Sequence, residues 1–528
     1  MTVMTRETAN AAGDNFGYQP ELKRSLGSFQ MFAISFASVS VIVGIFATYG
    51  DVLQSSGPLG IWLFPIVAVG QILVALVYAQ FAARIPLSGS SYQWASRLAN
   101  PKIGWMFGWV TACNVAMSAP AIDNALATQC LMPLFNLAPS DSTARVITVS
   151  LLLVQAVIVI MSTKIAGWIN SLAVGVELTI VVVLGIALVV AVALTGGGST
   201  DNLVSQGIAQ GAPDYFALGG GLMAAMIMGL STLIGFDAAA NMAEEAKEPF
   251  RTVPRAIIGS VVAAAILGML FIIALTVSIK DMGAVSKSNS PVAEIMFEQF
   301  GPGLERPFLV VIAIAFFGAA VVSIAGASRI IFAMSRDDRF PAHRMFKRVN
   351  PRTHTPIWAT VLQFVLGSAL IMAINGNAML QLILAGAILV NIPYGMTITL
   401  YLAVRRKLDR KDGAFNLGRF EVPVAVFALI WLMAAAFVSI ITAPTMVPVL
   451  IVVGMLLVGA AYLGYLLTCR REVLEHEPGE PESESESESD ADAEGDATTP
   501  ATVEGLRHEG FRRASHLGAA RIPLPATS

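Results

Sequence analysis

Three places in the chain combine residue types that could handle charge in an apolar setting. Glu177 lies in NSLAVGVELTIVVVLG, with more than two apolar turns on its C-terminal side. Asp237 directly follows Gly235 and Phe236 in FALGGGLMAAMIMGLSTLIGFDAAANMAEEA. The third place, FQMFAISFASVSVIVGIFATYGDVLQ, repeats a similar step: Val43, Gly44, Ile45 and Phe46 against Ile234, Gly235, Phe236 and Asp237. Glycine weakens a helix by about 1 kcal/mol relative to alanine, and unwinding inside a membrane is tolerated only where the freed backbone faces protein or a watery cavity. Paired breaks therefore imply a cavity. Freed N–H groups at a half-helix N-terminus can hold a carboxylate, and freed carbonyls an ammonium or a cation. An amino acid offers both charges. An ionisable group at a helix centre in a membrane costs about 2.5–3.5 kcal/mol on insertion scales, so Glu177 is a candidate for loading and releasing a proton. Each feature also has a plainer reading. Gly44, Gly229 and Gly235 suit close packing of continuous helices, Glu177 suits a carboxyl that only packs helices, and Asp237 suits a cap on a second half-helix.

The elements that must position these residues follow from composition. Of 528 residues, 55% are hydrophobic and only 13% are Asp, Glu, Lys or Arg, against roughly 25% charged in an average soluble domain. Mean hydropathy is +0.69. This excludes an ordinary soluble enzyme and indicates an all-α polytopic membrane protein. A helix needs about 20 apolar residues to cross the hydrocarbon. Twelve such segments begin near Phe29, Gly60, Ile103, Thr143, Ala166, Phe216, Pro254, Pro307, Pro356, Ala378, Pro423 and Thr445. Lys and Arg in alternate connections divide 24 against 4, which by the positive-inside bias puts both termini in the cytoplasm. Spans one and six then run in opposite orientations, as an inverted repeat of five helices requires. The expected organisation is a cytoplasmic tail over 1–28, repeats over 29–205 and 206–405, two further spans over 423–468, and a disordered acidic tail over 469–528. The polar start lacks the form of a cleavable signal, so the first span should be retained.

Other chemistry finds little support. The three cysteines have no metal-type spacing, and all five histidines lie outside the apolar runs; no cofactor or metal and no nucleic-acid partner is expected. Asp123, toward the outer end of span three, reads as a wet surface residue, and Arg329 as a snorkelling one. Glu244 and Glu245 with Arg84 and Arg336 could make an inner gate of ion pairs, although most loop cations simply follow the positive-inside bias.

At its break residues the chain resembles the amino acid, polyamine and organocation permease superfamily, most closely the branch of amino acid, choline and gamma-aminobutyrate permeases, over about residues 26 to 467. VIVGIF is similar to that family's G-x-G-I-F segment, with Ile42 in place of one glycine. RIPLSGSSYQWASRLA, LIGFDAAANMAEEAKEPFRTVPRAI and GASRIIFAMSRDDRFP follow in the family's order. The resemblance implies a five-plus-five inverted repeat of the leucine-transporter type with two additional helices. It puts substrate against Ile42, Val43 and Gly44 and against Ser231, Thr232, Ile234 and Gly235. Ser231 stands where some relatives carry an aromatic gate, so the gate is absent there or is supplied by Phe236; Asp237 could accept a substrate ammonium or a hydrogen bond from span one. Glu177 occupies the place where certain proton-coupled relatives carry a lysine, facing spans one and eight.

The expected activity is therefore secondary active import of an amino acid or related amine across the plasma membrane, with a proton, or Na+, as coupling ion. No Walker-type phosphate loop appears, so ATP drive is unsupported. Exchange of one solute for another is the nearest alternative, and a non-transporting nutrient sensor signalling through its tail comes from a different class. An enzyme is not expected, since no span contains histidine and the buried carboxylates form no dyad within one helix.

Overall fold

The computed structural model describes residues 26–85, 90–161, 163–350, 353, 355–374, 376–408 and 413–474. Most of the expected N-terminal tail, nearly all of the acidic tail and the 86–89 stretch of the second motif lie outside them. Apolar runs punctuated by Gly, Pro and Asn become helices in the order α1 (Ser28–Val39), α2 (Val41–Ser55), α3 (Leu63–Ala82), α4 (Ser90–Leu98), α5 (Pro101–Ala125), α6 (Asp141–Met161), α7 (Thr163–Thr195), α8 (Gly221–Thr232), α9 (Ala238–Asn241), α10 (Pro249–Val277), α11 (Pro291–Phe300), α12 (Pro302–Arg336), α13 (Ile357–Ala373), α14 (Ala378–Val404), α15 (Glu421–Ile441) and α16 (Val447–Cys469). Start signals are local. Asn100 accepts from the Ile103 N–H at 2.8 Å ahead of Pro101, and Asn377 caps α14 through the Leu380 N–H at 3.0 Å. Both satisfy amides that a helix N-terminus otherwise leaves unpaired.

Among the described residues nine helices are long and apolar enough to cross a membrane, the joined α1 and α2 counted as one, and α8 and α13 are shorter apolar helices. The long α5 is diluted by Asn114, Ser118, Asp123 and Asn124. The outward faces carry large hydrophobic side chains such as Ile66, Val69, Leu153, Ile186, Leu270 and Met433, each half exposed or more. A surface of this kind belongs in lipid rather than water. The described residues make an all-helical, multi-pass membrane protein.

Inside, α5 packs on α12 and α14, α10 on α3 and α1, and α7 on α12 and α10. Small residues set the approach of α7 and α12: a Cβ on Gly318 would stand 2.1 Å from the Cβ of Ala173. The described residues form no sheet; one isolated bridge joins Leu26 and Ala246. Leu26 N–H donates to the Glu245 carbonyl at 2.9 Å, and Lys247 N–H to the Leu26 carbonyl at 2.8 Å. The start of the first span is thereby tied to the end of the sixth.

Candidate functional site

The first break falls at Ser40 rather than at Val43, Gly44 and Ile45, which are helical within α2. Ser40 takes the left-handed conformation (φ 46°), uncommon for a residue with a side chain. Intrahelical bonding lapses there, from Ser40 N–H on the Phe36 carbonyl to Gly44 N–H on the Ser40 carbonyl. The surrounding SFASVSV supplies serines and β-branched valines, which are poor helix interiors. Gly44 serves a different purpose. A Cβ there would lie 2.2 Å from Thr232 Oγ1 and 2.7 Å from Thr232 Cα, so its bare backbone is what lets α2 rest on α8. The close-packing reading of Gly44 holds, with the break four residues upstream.

The second break lies where the sequence places it. Helix α8 ends at Thr232, and Gly235 has φ +84° while a Cβ on it would stand 2.6 Å from the Ser38 carbonyl. Both the positive φ and the close approach require glycine. The two breaks are locked together by Ser35, whose hydroxyl donates to the Phe236 carbonyl at 2.9 Å and accepts from the Ala239 N–H at 3.1 Å.

Glu177 on α7 reaches the first break. Its Oε1 accepts from the Ile42 N–H at 3.4 Å, and Val41 N–H also faces it. A carboxyl from another span thus sits at the N-terminus of half-helix α2, where amides converge and the helix dipole favours negative charge. At the second break, Asp237 makes no side-chain cap on α9, contrary to the capping alternative. Its Oδ1 instead accepts from the Tyr394 hydroxyl at 2.9 Å, and that hydroxyl accepts from the Gly235 N–H at 3.0 Å. Tyr394 belongs to an aromatic cluster with Phe236 (ring centroids 5.2 Å) and Tyr78 (5.2 Å), and Tyr78 donates to Thr397 at 2.9 Å. Ile42, Val43, Gly44, Thr232 and Phe236 are buried, whereas Ser231, Ile234, Gly235 and Asp237 are partly exposed. The accessible part of the paired break is its span-six side.

Sequence reasoning missed Tyr394; NIPYGM, with Pro393 inside a helix, was its only signal. Asp123 corrects an expectation. It is 0% exposed rather than wet, because α5 is covered by α6, α12 and α13, and Gln155 donates to its Oδ1 at 2.7 Å. Arg329 is exposed. Among the described residues, Arg84 and Arg336 are paired elsewhere than with Glu245. Arg84 pairs with Glu421 at 2.9 Å with both side chains buried, donates to the Arg405 carbonyl at 2.8 Å and lies 5.3 Å over the Tyr401 ring. Arg336 lies 3.7 Å from Asp337, and the Glu244 side chain is outside the described residues.

The second and last sequence motifs meet. The Tyr92 hydroxyl donates to Asp337 at 2.7 Å, and Arg339 Nη1 donates to Tyr92 at 3.2 Å. Burial, with the Asp337 charge beside it, pushes the Tyr92 hydroxyl up from its ordinary value. At the end of the helical body where α2 ends and α6 begins, a polar cleft of about 1090 Å3 runs over Asp51 and Gln54 on α2, Asn124 on α5, Arg145 on α6 and Glu294 on α11.

Two interrupted helices, antiparallel and touching inside a helical membrane body, define a polytopic protein whose middle is built from non-helical backbone. A family model described as amino acid permease matches residues 26–462, and the chain belongs to that family. It is 27% identical to the amino-acid permease BAT1 of Arabidopsis thaliana over 79% of this chain and 85% of that one. It is 26% identical to the GABA-specific permease of Saccharomyces cerevisiae over 80% and 77% of the two chains. With the amino-acid permease 2 of Neurospora crassa the identity is 26%, over 84% and 83%. The protein is accordingly a membrane transporter of amino acids or related amines and not an enzyme.

Proposed function

We propose that the protein imports an amino acid or related amine across the plasma membrane by alternating access, driven by a proton, with both termini in the cytoplasm. In this reading α5, α8 and α13 join the nine longer helices to make twelve spans. Spans one to five and six to ten form the inverted repeats (29–205 and 206–405), and α15 and α16 (423–468) stand outside them. Substrate lies against Ile42, Val43 and Gly44 on one side and Ser231, Thr232, Ile234, Gly235, Phe236 and Asp237 on the other. The observation that carries the reading is the meeting of two broken helices with a carboxyl at each break. Glu177 lies at the amide-rich start of α2, where it competes with a substrate carboxylate for the same N–H groups. Its protonation state therefore decides whether those groups are available, which links a proton to substrate binding. Asp237 is held by Tyr394 and offers an acceptor to the ammonium.

The GABA-specific permease and the amino-acid permease BAT1 among the relatives support an amine-bearing substrate. The test is uptake into substrate-free proteoliposomes, for a panel of amino acids, gamma-aminobutyrate, choline and putrescine, with and without an inward proton gradient. Gradient-driven accumulation of one amino acid by the wild type, lost in Glu177→Gln while exchange between equal concentrations persists, is the expected result. Accumulation indifferent to the proton gradient but dependent on Na+ would overturn proton coupling.

A further inference from the structure

The breaks leave one stretch of the membrane interior without an assigned role, the C-terminal half of α5. Pro120 has no N–H to give the carbonyl of Ala116, and that carbonyl accepts instead from Gln363 Nε2 of α13 at 2.8 Å. From Leu126 to Leu131 the helix widens into a π turn, a form that occurs often at functional sites. Between these two departures lies Asp123. It and Gln155 are both 0% exposed. Gln155 Nε2 donates to Asp123 Oδ1 at 2.7 Å, while Asp123 Oδ2 and Gln155 Oε1 have no hydrogen-bond partner among the described residues.

Among the described residues no cation offsets the carboxyl. Asp123 is in none of the ion pairs of the described residues. On the elements packed against α5, Arg145 of α6 donates to the Ile374 carbonyl at 2.7 Å. Glu305 and Arg306 of α12 and Asp51 of α2 line the cleft, Arg329 and Arg336 lie toward the other end of α12, and Arg97 belongs to α4. Helices α13, α14 and α16 carry no charged residue, and Tyr394 and Tyr401 of α14 are held by Asp237 and Glu421. An isolated charge in such a place is costly, so exchange of a proton is the chemistry open to this group. Polar side chains lead part of the way to it from the cleft. The next residue, Asn124, lines the cleft and donates to Thr148 Oγ1 at 3.0 Å. Thr148 lies two turns before Gln155 on the same face of α6.

We propose that Asp123 is a second proton-exchange site of the transporter, separate from Glu177 and reached from the cleft past Asn124 and Thr148. Unloading breaks the Oδ2–H bond, leaves its electron pair on the carboxylate and passes the proton to water in the cleft; loading is the reverse. The proposal rests on the proton-driven reading above. The test measures the proton-to-substrate ratio from reversal potentials in proteoliposomes for the wild type, Asp123→Asn, Asp123→Glu and Glu177→Gln. Asparagine can still hydrogen-bond Gln155, so a packing role predicts an unchanged ratio, and that result overturns the proposal. The expected result is a ratio lowered by one in Asp123→Asn and retained in Asp123→Glu, with equal-concentration exchange within about twofold of wild type. A wild type indifferent to the proton gradient overturns the coupling reading itself, and this site with it. Stabilisation by Na+ that Asp123→Asn abolishes overturns it in favour of a cation site. If Asp123→Asn does not fold, infrared difference spectra of wild type labelled with carbon-13 aspartate decide. A pH-dependent aspartic acid band that shifts in heavy water is expected, and its absence overturns the proposal.

Discussion

Replacing Gly44 with alanine tests whether the two broken helices work against each other. The new Cβ would stand 2.7 Å from Thr232 Cα, where carbon atoms ordinarily approach no closer than about 3.5–4.0 Å. Helices α2 and α8 must therefore part by about 1 Å. Rotating the threonine cannot relieve this, because Cα is backbone and Oγ1 is already held by the Met228 carbonyl at 2.5 Å. Overpacking of this kind costs about 1–3 kcal/mol, offset in part by alanine's gain of about 1 kcal/mol in helix propensity. If the strain falls on the transport-competent arrangement, the initial rate of uptake drops by about 5- to 150-fold. Thermal unfolding in detergent and initial uptake rates in proteoliposomes measure the two effects. Gly464→Ala on α16, whose added Cβ meets nothing within 4 Å, gains helix propensity without a clash and serves as the control. Adding Thr232→Ala to Gly44→Ala removes the clash with the hydroxyl but leaves the one with the backbone of residue 232, so rescue should be partial. Equal unfolding temperatures and equal rates for Gly44→Ala and Gly464→Ala would refute the argument.

Tyr394→Phe deletes one hydrogen bond to Asp237 and one from Gly235 while keeping the ring stack. With hydrogen bonds to charged groups worth about 1.5–3 kcal/mol, it should shift the apparent substrate KM at least tenfold, whereas Phe300→Leu on α11 should leave it unchanged. Arg84→Ala removes the nearer of two cations from buried Glu421, leaving it Arg405 at 3.8 Å and the Tyr401 hydroxyl at 2.8 Å, and should cost about 1.5–3 kcal/mol, read as lost thermal stability; Arg84→Met with Glu421→Gln should recover most of that loss, and a single variant as stable as the pair would contradict it. Burial alone would raise the Asp338 carboxyl, but hydrogen bonds from His343 and Lys347, and their charges, hold it below its ordinary value. Its contribution to holding residues 338–347 together is present above the unfolded carboxyl value of about 3.9 and is lost as pH falls through the lower folded value. The protection of that segment against hydrogen exchange, corrected for the intrinsic pH dependence of amide exchange, should fall as pH drops below about pH 4.

Hydropathy determined much from the sequence alone, because crossing a membrane is a local demand on length and apolarity. The helices begin close to the positions read from the apolar runs, and Gly235 breaks its span where its neighbours predicted. Glu177 was also legible, since a lone carboxylate in a long apolar run needs a reason. Only the tertiary structure decided what each of these residues touches. Gly44 looks like a break in the sequence but is a point of close packing, because the need for a bare backbone comes from Thr232, nearly two hundred positions away. The break passed to Ser40, a residue with no distinctive signal by itself. Asp123 looked wet from its distance along the helix, yet burial depends on which neighbours cover a face, and Gln155 covers this one. Tyr394 and Glu421 share the same cause. Each acquires its role from a partner on another span, Asp237 for one and Arg84 for the other, and such pairings arise when helices pack, a step that apolar periodicity along one helix does not encode.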